Sequence, residues 1–538
     1  MLAMFASCVA FPFLGSFGLL EPDEGRFAQI GREMMAGGDY LVPRLNGIEQ
    51  FYKPPLVYWV GAVGYRLLGI SEWTARLPSA LAFFGTIWLT GWIGWRLGGR
   101  RLGWMGALIL ASMLEPYALG RQITLDTTLT FWVTSALACL VRVGTGDPDR
   151  KAGFLFFLCM GLGFLAKGPM AWVVPLVAAF AWTLALRARG QKLGLPWGKG
   201  LVLMVGVSLS WFLVVCWKYP ELWKYFLGYE LVERFASTTH GRSKPFWFFL
   251  PILALGAVPW TGFLPGLAVA GWKKIRMRSL SPAQWALGAA VVVPFVVVSS
   301  SGSKLLTYIL PLFPSLALGL AWWLEGGDRG IWGKLGWGTA WLVLLVFSPL
   351  LWSVQFFWSE ATGISPSLFY LIGVPVVVLL AGVVVWRARQ RIGGTLAGVV
   401  GLALASLVVW HGACLEMERI NDLLGRQASV RPLARLVVKH QPERLFIYRA
   451  RSAGLLFSAD RKVWINRADA DVVVNPSAEA KGRFFEKPEE LRQGLSSGQR
   501  VEGITLRHIY REEFDPAKWE IVGRSGEFLL IRSFGEGV

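Results

Sequence analysis

The feature that most limits how this chain can fold is a series of apolar stretches of about 20 residues, the length at which a helix crosses the hydrocarbon core of a membrane. Within lipid, a helix satisfies its own backbone hydrogen bonds, whereas an irregular segment does not. The sequence therefore predicts a mainly α-helical, multi-pass membrane protein. Its roughly thirteen transmembrane stretches lie near residues 2–20, 74–95, 102–119, 124–141, 153–166, 169–186, 199–217, 246–268, 283–301, 305–324, 334–353, 366–386 and 394–414.

Composition supports this fold class and argues against a nucleic-acid-binding protein. Only 17% of the 538 residues are charged, whereas soluble proteins contain about 25%. The formal charge of +19 would suit a nucleic-acid partner, but membrane proteins also accumulate Lys and Arg in their cytoplasmic loops. We therefore expect membrane lipid and no nucleic acid as a partner. The five cysteines are scattered and predict neither a disulfide framework nor a metal site.

The distribution of basic residues predicts the orientation. Every second loop contains several Arg or Lys, as at 96–101, 187–199 and 273–278, while the short loops between them contain one base or none. The positive-inside rule makes the basic loops cytoplasmic. The N-terminus is then cytoplasmic, and residues 21–73, 218–245 and the C-terminal segment face the other side. In a bacterial inner membrane that side is the periplasm.

The chain is predicted to divide after residue 414. Residues 1–414 form the transmembrane domain, whereas 415–538 are rich in charged residues and contain no apolar run long enough to span. The C-terminal segment has the patterns of a small soluble α/β domain, with β-rich runs at 444–449, 471–474 and 519–532 and helical patterns at 430–439 and 488–495.

The first periplasmic loop, residues 21–73, contains the densest group of charged and aromatic residues. Its stretches 24–36 and 56–68 have the pattern of short amphipathic helices, which lie in the membrane interface and do not cross it. The second periplasmic loop, 218–245, has an interfacial stretch at 219–235. We expect the chemistry of the protein in these loops.

An acidic pair, Asp23-Glu24, follows the first apolar stretch in EPDEGR (21–26), with Arg26 close behind. One interpretation is a helix N-terminus with an acidic first turn. The other is a carboxylate that acts as a general base, or stabilises positive charge, where a lipid-borne group leaves the bilayer.

Lys53 in FYKPPL (51–56) precedes two prolines that hold its backbone extended. A fixed ammonium suits a phosphate, and a lysine that snorkels to the headgroups is the alternative.

Three further candidates lie at the predicted outer surface of the transmembrane domain. Asp126 in ITLDTTLTF (123–131) begins a span, either as an N-cap or as a partner of Arg121. Lys304 and Tyr308 in SKLLTYILPLFP (303–314) are four residues apart, so on a helix they would share a face and clamp an anion. The alternative is a snorkelling lysine beside a tyrosine of the interfacial aromatic belt.

The polar stretch ERFASTTHGRSKPFWFFLP (233–251) contributes two more candidates. Arg242 is a candidate contact for a donor phosphate, and His240 is a possible metal ligand. A histidine alone does not make a zinc site, and no second histidine or cysteine stands at a suitable spacing.

Read together, the segments 21–59, 123–131, 233–251 and 303–314 resemble the aminoarabinose transferase family that modifies lipid A and, more distantly, the protein O-mannosyltransferases. The resemblance implies the membrane glycosyltransferase fold known as GT-C, with thirteen spans and a periplasmic C-terminal domain. It implies a sugar donor carried on a polyprenyl phosphate such as undecaprenyl phosphate. It also implies transfer to a periplasmic acceptor, with a lipid A-like glycolipid expected and a protein or another glycan as the alternative.

The resemblance implies roles for single residues. Asp23 is the central acidic residue and Asp126 a second essential carboxylate, while Lys53 and Tyr308 contact the lipid phosphate. We add Glu24 to the predicted catalytic group, and we add three basic side chains to the predicted phosphate site: Arg26, Lys304 and Arg242.

The sequence departs from the family pattern at Tyr52. The family has a glutamate here that joins a histidine in holding zinc, and a phenol is not a usual zinc ligand. We therefore expect activity without a metal cofactor.

Two functions from other classes remain as alternatives. A transporter or flippase for lipid-linked sugars would place ionisable residues near the midplane of its spans, whereas the ionisable clusters of this chain lie at one surface. A non-catalytic lipid-binding scaffold would have no need for both Asp23 and Asp126.

Overall fold

The computed structural model describes residues 1–538 except 147–148, 229–243, 327–329, 363–371, 419, 467–481, 492–499 and 535–538. The chain forms two compact units. Unit 1 contains residues 1–12 and 79–413, and unit 2 contains residues 13–78 and 414–538. Unit 2 therefore combines the first long loop of the chain with its C-terminal segment.

Helices dominate the described chain. In chain order they are α1 (Leu2–Ala10), α2 (Asp23–Gly37), α3 (Leu56–Leu68), α4 (Glu72–Ser112), α5 (Leu114–Leu119), α6 (Leu125–Thr145), α7 (Arg150–Ala166), α8 (Met170–Arg187), α9 (Trp197–Lys218), α10 (Leu222–Lys224), α11 (Phe249–Gly256), α12 (Leu264–Arg276), α13 (Pro282–Ser300), α14 (Phe313–Glu325), α15 (Gly330–Thr362), α16 (Val374–Ile392), α17 (Gly394–Glu416), α18 (Arg431–His440), α19 (Gly454–Ala459) and α20 (Arg507–Glu513).

Shorter 3₁₀ segments and eight strands complete the described elements. The 3₁₀ segments are Phe246–Phe248, Trp260–Phe263, Leu306–Leu312, Asn421–Gln427 and Pro488–Leu491. The strands are β1 (Arg44–Leu45), β2 (Ile48–Glu49), β3 (Arg444–Ile447), β4 (Trp464–Asn466), β5 (Phe484–Phe485), β6 (Val501–Leu506), β7 (Trp519–Ser525) and β8 (Phe528–Ser533).

The structure confirms a multi-pass helical protein. Within the described residues, seven helices are long and apolar enough to cross a membrane, and a pair of helices bent by 115° would make an eighth span. One of the seven, α4, has 41 residues, which at 1.5 Å per residue is about 60 Å and roughly twice the hydrocarbon thickness. It leaves helical geometry at Gly98 and Gly99, between the predicted spans 74–95 and 102–119. The described residues do not establish the predicted total of thirteen spans.

The first predicted span, 2–20, is only partly correct. The helix covers Leu2–Ala10, residues 11–17 form turns and bends, and residues 18–19 have no regular secondary structure. Pro12 lacks the N–H that would continue the helical ladder, and the chain reaches a positive φ of 61° at Phe13. A continuous span over residues 2–20 is therefore wrong.

Packing in unit 1 holds the start of α6 beside a 3₁₀ segment. Helix α6 packs against α7 and α8, and α13 packs against α8 and α14. The 3₁₀ segment Leu306–Leu312 contacts α6, α5 and α13. This arrangement places Asp126, at the start of α6, near the segment that contains Tyr308.

Unit 2 has an α/β core. Its sheet has the order β5-β4-β3-β6-β8-β7 in the described residues, with parallel pairing from β5 to β6 and antiparallel pairing of β8 with both of its neighbours. Helix α18 packs against β7 and α19, while α2 packs against α3 and α19. The predicted interfacial helices 24–36 and 56–68 agree with α2 and α3 to within one residue.

The predicted elements of the C-terminal segment are also largely present. The run 444–449 forms β3, the run 519–532 forms β7 and β8, and the pattern 430–439 forms α18. The run 471–474 lies outside the described residues. The pattern 488–495 begins as the 3₁₀ turn Pro488–Leu491, and its remaining residues are likewise not described.

Candidate functional site

The EPDEGR segment brings an exposed carboxylate to the start of α2. Asp23 is the first residue of that helix, after the N-cap Pro22, and 63% of its side chain is exposed. The Arg26 Nη2 donates a hydrogen bond to Asp23 Oδ1 at 2.5 Å, and the Arg26 side chain is only 18% exposed. Asp23 thus combines access to solvent with a cationic neighbour that keeps it oriented.

Glu24, the second predicted catalytic acid, has a different environment. Its Oε1 and Oε2 accept hydrogen bonds from Nε and Nη2 of Arg76 at 2.9 and 2.7 Å, and both side chains are buried. The Leu20 N–H also donates to Glu24 Oε2 at 2.9 Å. A buried carboxylate with this many partners favours a structural role, because a base must reach its substrate to accept a proton.

Two cations flank the ring of Tyr52. The Arg26 Cζ lies 5.0 Å from the ring centroid, and the Lys53 Nζ lies 4.2 Å from it. Both distances are within the roughly 6 Å over which a cation is attracted to an aromatic face. We call Asp23, Arg26, Tyr52 and Lys53 the loop cluster. Both predicted cationic contacts of this loop, Arg26 and Lys53, belong to it.

A β-hairpin holds the segment before Lys53. Strands β1 and β2 are joined by Asn46 and Gly47, whose φ angles of 57° and 77° suit a two-residue hairpin turn. The backbone N–H groups of both residues donate to the Glu33 carboxylate at 2.7 and 2.9 Å. Burial raises the pKa of Glu33. The dipeptide Asn-Gly is a strong sequence signal for such a hairpin turn.

Glu21, two residues before Asp23, is a further buried carboxyl that sequence reasoning missed. Its Oε1 accepts hydrogen bonds from the Gly454 N–H at 2.6 Å and the Ser452 hydroxyl at 3.3 Å. Burial is the main cause that raises the pKa of Glu21 to about 8. The contact joins the EPDEGR segment to α19, a long-range packing relation with no local sequence signal.

In unit 1, Asp126 is buried and forms an ion pair with Lys167. The Lys167 Nζ also lies 4.8 Å from the ring centroid of Tyr308. Thr124 is the N-cap of α6 and accepts a hydrogen bond from the Asp126 N–H at 3.1 Å, so the Asp126 carboxylate is not the cap. We call Asp126, Lys167 and Tyr308 the membrane cluster.

The suggested Asp126–Arg121 pair is absent from the contacts of the described chain. Arg121 is fully buried and donates from Nη1 to the Val9 carbonyl at 2.7 Å, with its guanidinium 4.9 Å from the Tyr117 ring centroid. The pairing was expected from proximity in sequence, but Arg121 lies two residues after the end of α5 and bonds the backbone of the first helix. Lys167, which sequence analysis did not propose as a site residue, is the actual partner of Asp126.

Lys304 and Tyr308 do not share the face of an α-helix. The 3₁₀ segment begins only at Leu306, and a 3₁₀ helix does not align residues four apart. Lys304 is buried, and its Nζ donates to the carbonyls of Ser301 and Lys244 at 2.5 and 3.0 Å. The expectation of a two-residue clamp on one helical face is therefore wrong. Tyr308 instead lies near Lys167.

His240 and Arg242 lie outside the described residues, and their predicted roles are not tested. Among the residues that the structure describes, no group of three or more His, Cys, Asp or Glu is suitable for a metal ion. A zinc ion beside Tyr52 would also stand next to two cations, Arg26 and Lys53, which repel it. The residues at this position do not fit the zinc that the resemblance implies.

Known proteins resemble a large part of this chain. A family model for dolichyl-phosphate-mannose-protein mannosyltransferases matches residues 1–226. The undecaprenyl phosphate-alpha-4-amino-4-deoxy-L-arabinose arabinosyl transferase 1 of Sodalis glossinidius is 38% identical over 308 residues, which are 56% of this chain and 54% of that protein. The corresponding transferase of Pectobacterium carotovorum is 33% identical over 66% of this chain and 63% of that protein. The chain thus spans less than two thirds of these relatives.

Solved structures extend the similarity to nearly the whole chain. The crystal structure of ArnT from Cupriavidus metallidurans bound to undecaprenyl phosphate has a TM-score of 0.80 and 26% identity, covering 99% of this chain and 97% of that one. The apo structure of the same protein has a TM-score of 0.79. Together with the apolar helices, these relatives identify a multi-pass bacterial inner-membrane protein. The chain is therefore similar to the aminoarabinose transferases along nearly its whole length and has the GT-C fold.

Proposed function

We propose that this protein transfers a sugar from a polyprenyl-phosphate donor, of the undecaprenyl phosphate type, to a lipid A-like glycolipid at the periplasmic face of the inner membrane. The observation that carries the proposal is the loop cluster, in which the exposed Asp23 carboxylate bonds Arg26 and the Tyr52 ring contacts both Arg26 and Lys53. A base for the acceptor and cations for a leaving phosphate are what such a transfer needs.

The proposed reaction is a single displacement. An acceptor hydroxyl attacks the anomeric carbon of the donor sugar while the bond from that carbon to the phosphate oxygen breaks. The Asp23 carboxylate takes the hydroxyl proton, and the phosphate leaves with the bonding electron pair. Lys53 and Arg26 stabilise the negative charge that develops on the phosphate, and attack from the opposite face inverts the anomeric carbon.

The membrane cluster is proposed to serve the same activity. Asp126 and Tyr308 were expected from the resemblance, and Lys167 joins them because it contacts both. The ion pair fixes the ammonium, and the ring adds a second attraction on that ammonium. Lys304 and Arg242 remain predicted phosphate contacts. For Lys304 this role requires that its ammonium exchange a carbonyl partner for phosphate.

Glu24 is proposed to position the catalytic acid and not to act as a base. Its pairing with Arg76 holds the first turn of α2, and Asp23 is the preceding residue of that turn. No step of the proposed reaction uses a metal ion.

The acceptor has one alternative with specific support. The model that matches residues 1–226 describes protein mannosyltransferases, so a periplasmic protein is the second candidate acceptor. Mass spectrometry of lipid A and of envelope glycoproteins, in cells with and without the gene, distinguishes the two. A sugar missing only from lipid A supports the first proposal, and one missing only from proteins supports the second.

Two substitutions in the loop cluster test the mechanism. Asp23→Asn keeps the size and removes the base, so turnover should fall roughly 100- to 10,000-fold while donor binding persists. Lys53→Ala should weaken donor binding and also lower turnover, because the contact strengthens as the phosphate gains charge. Both are measured as transfer of sugar from undecaprenyl-phosphate-linked donor by purified protein in nanodiscs, with turnover and donor affinity reported separately.

The matched controls are Asp515→Asn and Lys518→Ala, which are exposed residues of the C-terminal segment. Both should retain the wild-type turnover. Near-normal turnover of Asp23→Asn would show that Asp23 has no catalytic role and serves only at the start of α2. Movement of donor lipid across the membrane without any sugar transfer would support the flippase alternative instead.

A further inference from the structure

Part of the C-terminal segment contacts the first loop beside Asp23. We call residues 452–463, which are α19 and the residues on either side of it, the docking stretch. The Gly454 N–H and the Ser452 hydroxyl donate to Glu21 Oε1 at 2.6 and 3.3 Å, and all three residues are buried. The docking stretch therefore holds the chain two residues before Asp23.

Two glycines bring the backbones of α2 and α19 into close contact. A Cβ added at Gly25 would lie 2.3 Å from the Gly454 nitrogen, and a Cβ added at Gly454 would lie 2.4 Å from Glu21 Oε1. Neither glycine has a positive φ, so close approach, and not an unusual backbone conformation, is the reason that a larger residue does not fit. The docking stretch therefore also holds the chain two residues after Asp23.

Asp23 lies between these two fixed points. Glu21 and Gly25 stand on either side of it in the chain, and Gly454 contacts both of them. The Asp23 side chain itself bonds Arg26 and is 63% exposed. The C-terminal segment thus fixes the backbone at Asp23 while the carboxylate keeps its access to solvent.

Further contacts of the docking stretch limit how far the first loop can move. Arg32, on α2, donates from Nη1 to the Phe457 carbonyl at 2.7 Å and forms an ion pair with Asp460. In the turn of the β-hairpin, the Asn46 side chain donates to the Val463 carbonyl at 2.8 Å and accepts from the Val463 N–H at 3.1 Å. Bonds along α2 and at the hairpin resist rotation of the helix as well as its translation.

We propose that the C-terminal segment positions the Asp23 carboxylate for catalysis, and that Glu21 and Gly454 are the positioning residues. The proposal rests on the proposed function, in which Asp23 takes the proton of the acceptor hydroxyl. A general base must stay within hydrogen-bond reach of its proton, and a misplacement of about 1 Å can cost roughly 100-fold in rate. The docking stretch supplies this precision without touching the substrate.

The variant Gly454→Ala tests the proposal from the C-terminal side. Its new Cβ should displace Glu21 and, with it, the start of α2. Turnover at saturating donor should therefore fall roughly 10- to 100-fold in the same transfer assay as Asp23→Asn. The matched control is Gly37→Ala, in the same helix α2, where no atom lies within 4 Å of the new Cβ. It should turn over like the wild type.

A double-mutant cycle separates positioning from general damage to the fold. If Gly454 acts through Asp23, adding Gly454→Ala to Asp23→Asn should change turnover by no more than about twofold, because the base is already absent. A loss of folded protein would instead lower turnover by the same factor in both backgrounds. That result would overturn the inference and leave the proposed function intact, whereas near-normal turnover of Asp23→Asn would overturn both.

A pair of substitutions at Glu21 gives the same test if Gly454→Ala does not fold. Glu21→Ala removes the acceptor of the Gly454 N–H and should lower turnover in the wild-type background but not in Asp23→Asn. Glu21→Gln keeps an oxygen that accepts from the Gly454 N–H and should retain most of the turnover. Folded Glu21→Ala with wild-type turnover, or an equal loss in both Glu21 variants, would overturn the inference.

Discussion

At the scale of single residues, buried charges explain how the exposed Asp23 is kept in place. The Arg76 side chain is completely buried and donates to Glu24 and to the carbonyls of Leu14, Phe17 and Gly18 at 2.6–2.9 Å. These bonds close the turns before α2 and anchor the helix by its second residue. One arginine thus satisfies a carboxylate and three carbonyls that would otherwise be buried without partners.

Removing Arg76 should therefore unfold this region more readily than removing an exposed arginine. Arg76→Leu leaves the Glu24 carboxylate buried without its cation, at a cost of roughly 3–5 kcal/mol. The expected result is a clearly lower Tm in detergent, measured by intrinsic fluorescence. Arg66→Leu, at an exposed position of α3, is the control and should melt like the wild type. Equal Tm values for the two variants would show that the buried pair contributes little.

Glu21 should make stability depend on pH. Burial raises its pKa from 4.5 to about 8 in the folded protein, so between these values the folded state binds a proton that the unfolded chain releases. The contribution is fully present below pH 4.5 and is lost as the pH rises through about 8. Glu33, whose pKa is also raised by burial, acts in the same direction.

The variant Glu21→Gln tests the predicted loss of stability with rising pH. The amide oxygen can still accept from the Gly454 N–H, but the side chain no longer titrates. Relative to this variant, the wild-type protein should lose Tm as the pH rises from about 5 to about 8.5. A difference in Tm that stays constant over this range, or that grows in favour of the wild type, would contradict the raised pKa.

At the scale of elements, the local hydrophobic pattern predicted a helix well where one uninterrupted amphipathic stretch covered it. The amphipathic stretches 24–36 and 56–68 became α2 and α3 almost residue for residue. The failures have identifiable causes in proline. Pro12 ends the first helix early, and the prolines of 311–314 accompany a 3₁₀ segment, so spacing rules for an α-helix did not apply to Lys304 and Tyr308.

The bend between α11 and α12 offers a test at this scale. Gly256 ends α11, where an added Cβ would lie 2.4 Å from Glu115 Oε2 and 2.7 Å from Phe313 Cζ. Gly256→Ala should therefore displace packed neighbours and cost roughly 1–3 kcal/mol. Gly271→Ala in α12 has no atom within 4 Å of its new Cβ and is the matched control.

The two glycine variants should move Tm in different directions. Gly271→Ala should be neutral or slightly stabilising, because alanine favours the helix over the unfolded chain. Gly256→Ala should melt at a lower temperature in the same detergent. If both variants melt at the wild-type temperature, the close approach at the bend is relieved by a small shift of the Glu115 side chain.

At the scale of the whole molecule, the sequence predicted the fold class correctly and supplied the site candidates, but it did not predict which side chains those candidates contact. Asp23, Lys53, Asp126 and Tyr308 were chosen because each stands beside a proline, a helix start or a predicted surface. Lys167 lies between two predicted apolar stretches, and nothing in its local sequence marks it as a site residue. Its pairing with Asp126 depends on how α6 and α7 pack. Contacts between distant segments leave no trace in local spacing.

The predicted orientation can be tested on the intact protein, since it rests on the distribution of Arg and Lys alone. A cysteine is best placed at Gly37, which is exposed and has no atom within 4 Å of a new Cβ. Gly47 is unsuitable, because its φ of 77° and its hydrogen bond to Glu33 hold the hairpin turn. Lys192→Cys, in an exposed loop predicted to be cytoplasmic, is the matched control.

Both variants are made in a chain whose five native cysteines are replaced by alanine or serine. In cells with a permeabilised outer membrane, an impermeant thiol reagent should label the cysteine at position 37 and not the one at 192, and lysis of the inner membrane should expose both. Labelling at 37 before lysis places the end of α2 on the periplasmic side, where a lipid-linked sugar would meet a periplasmic acceptor. The reverse pattern would put the loop cluster in the cytoplasm, and the proposed transfer to a periplasmic glycolipid would then be impossible.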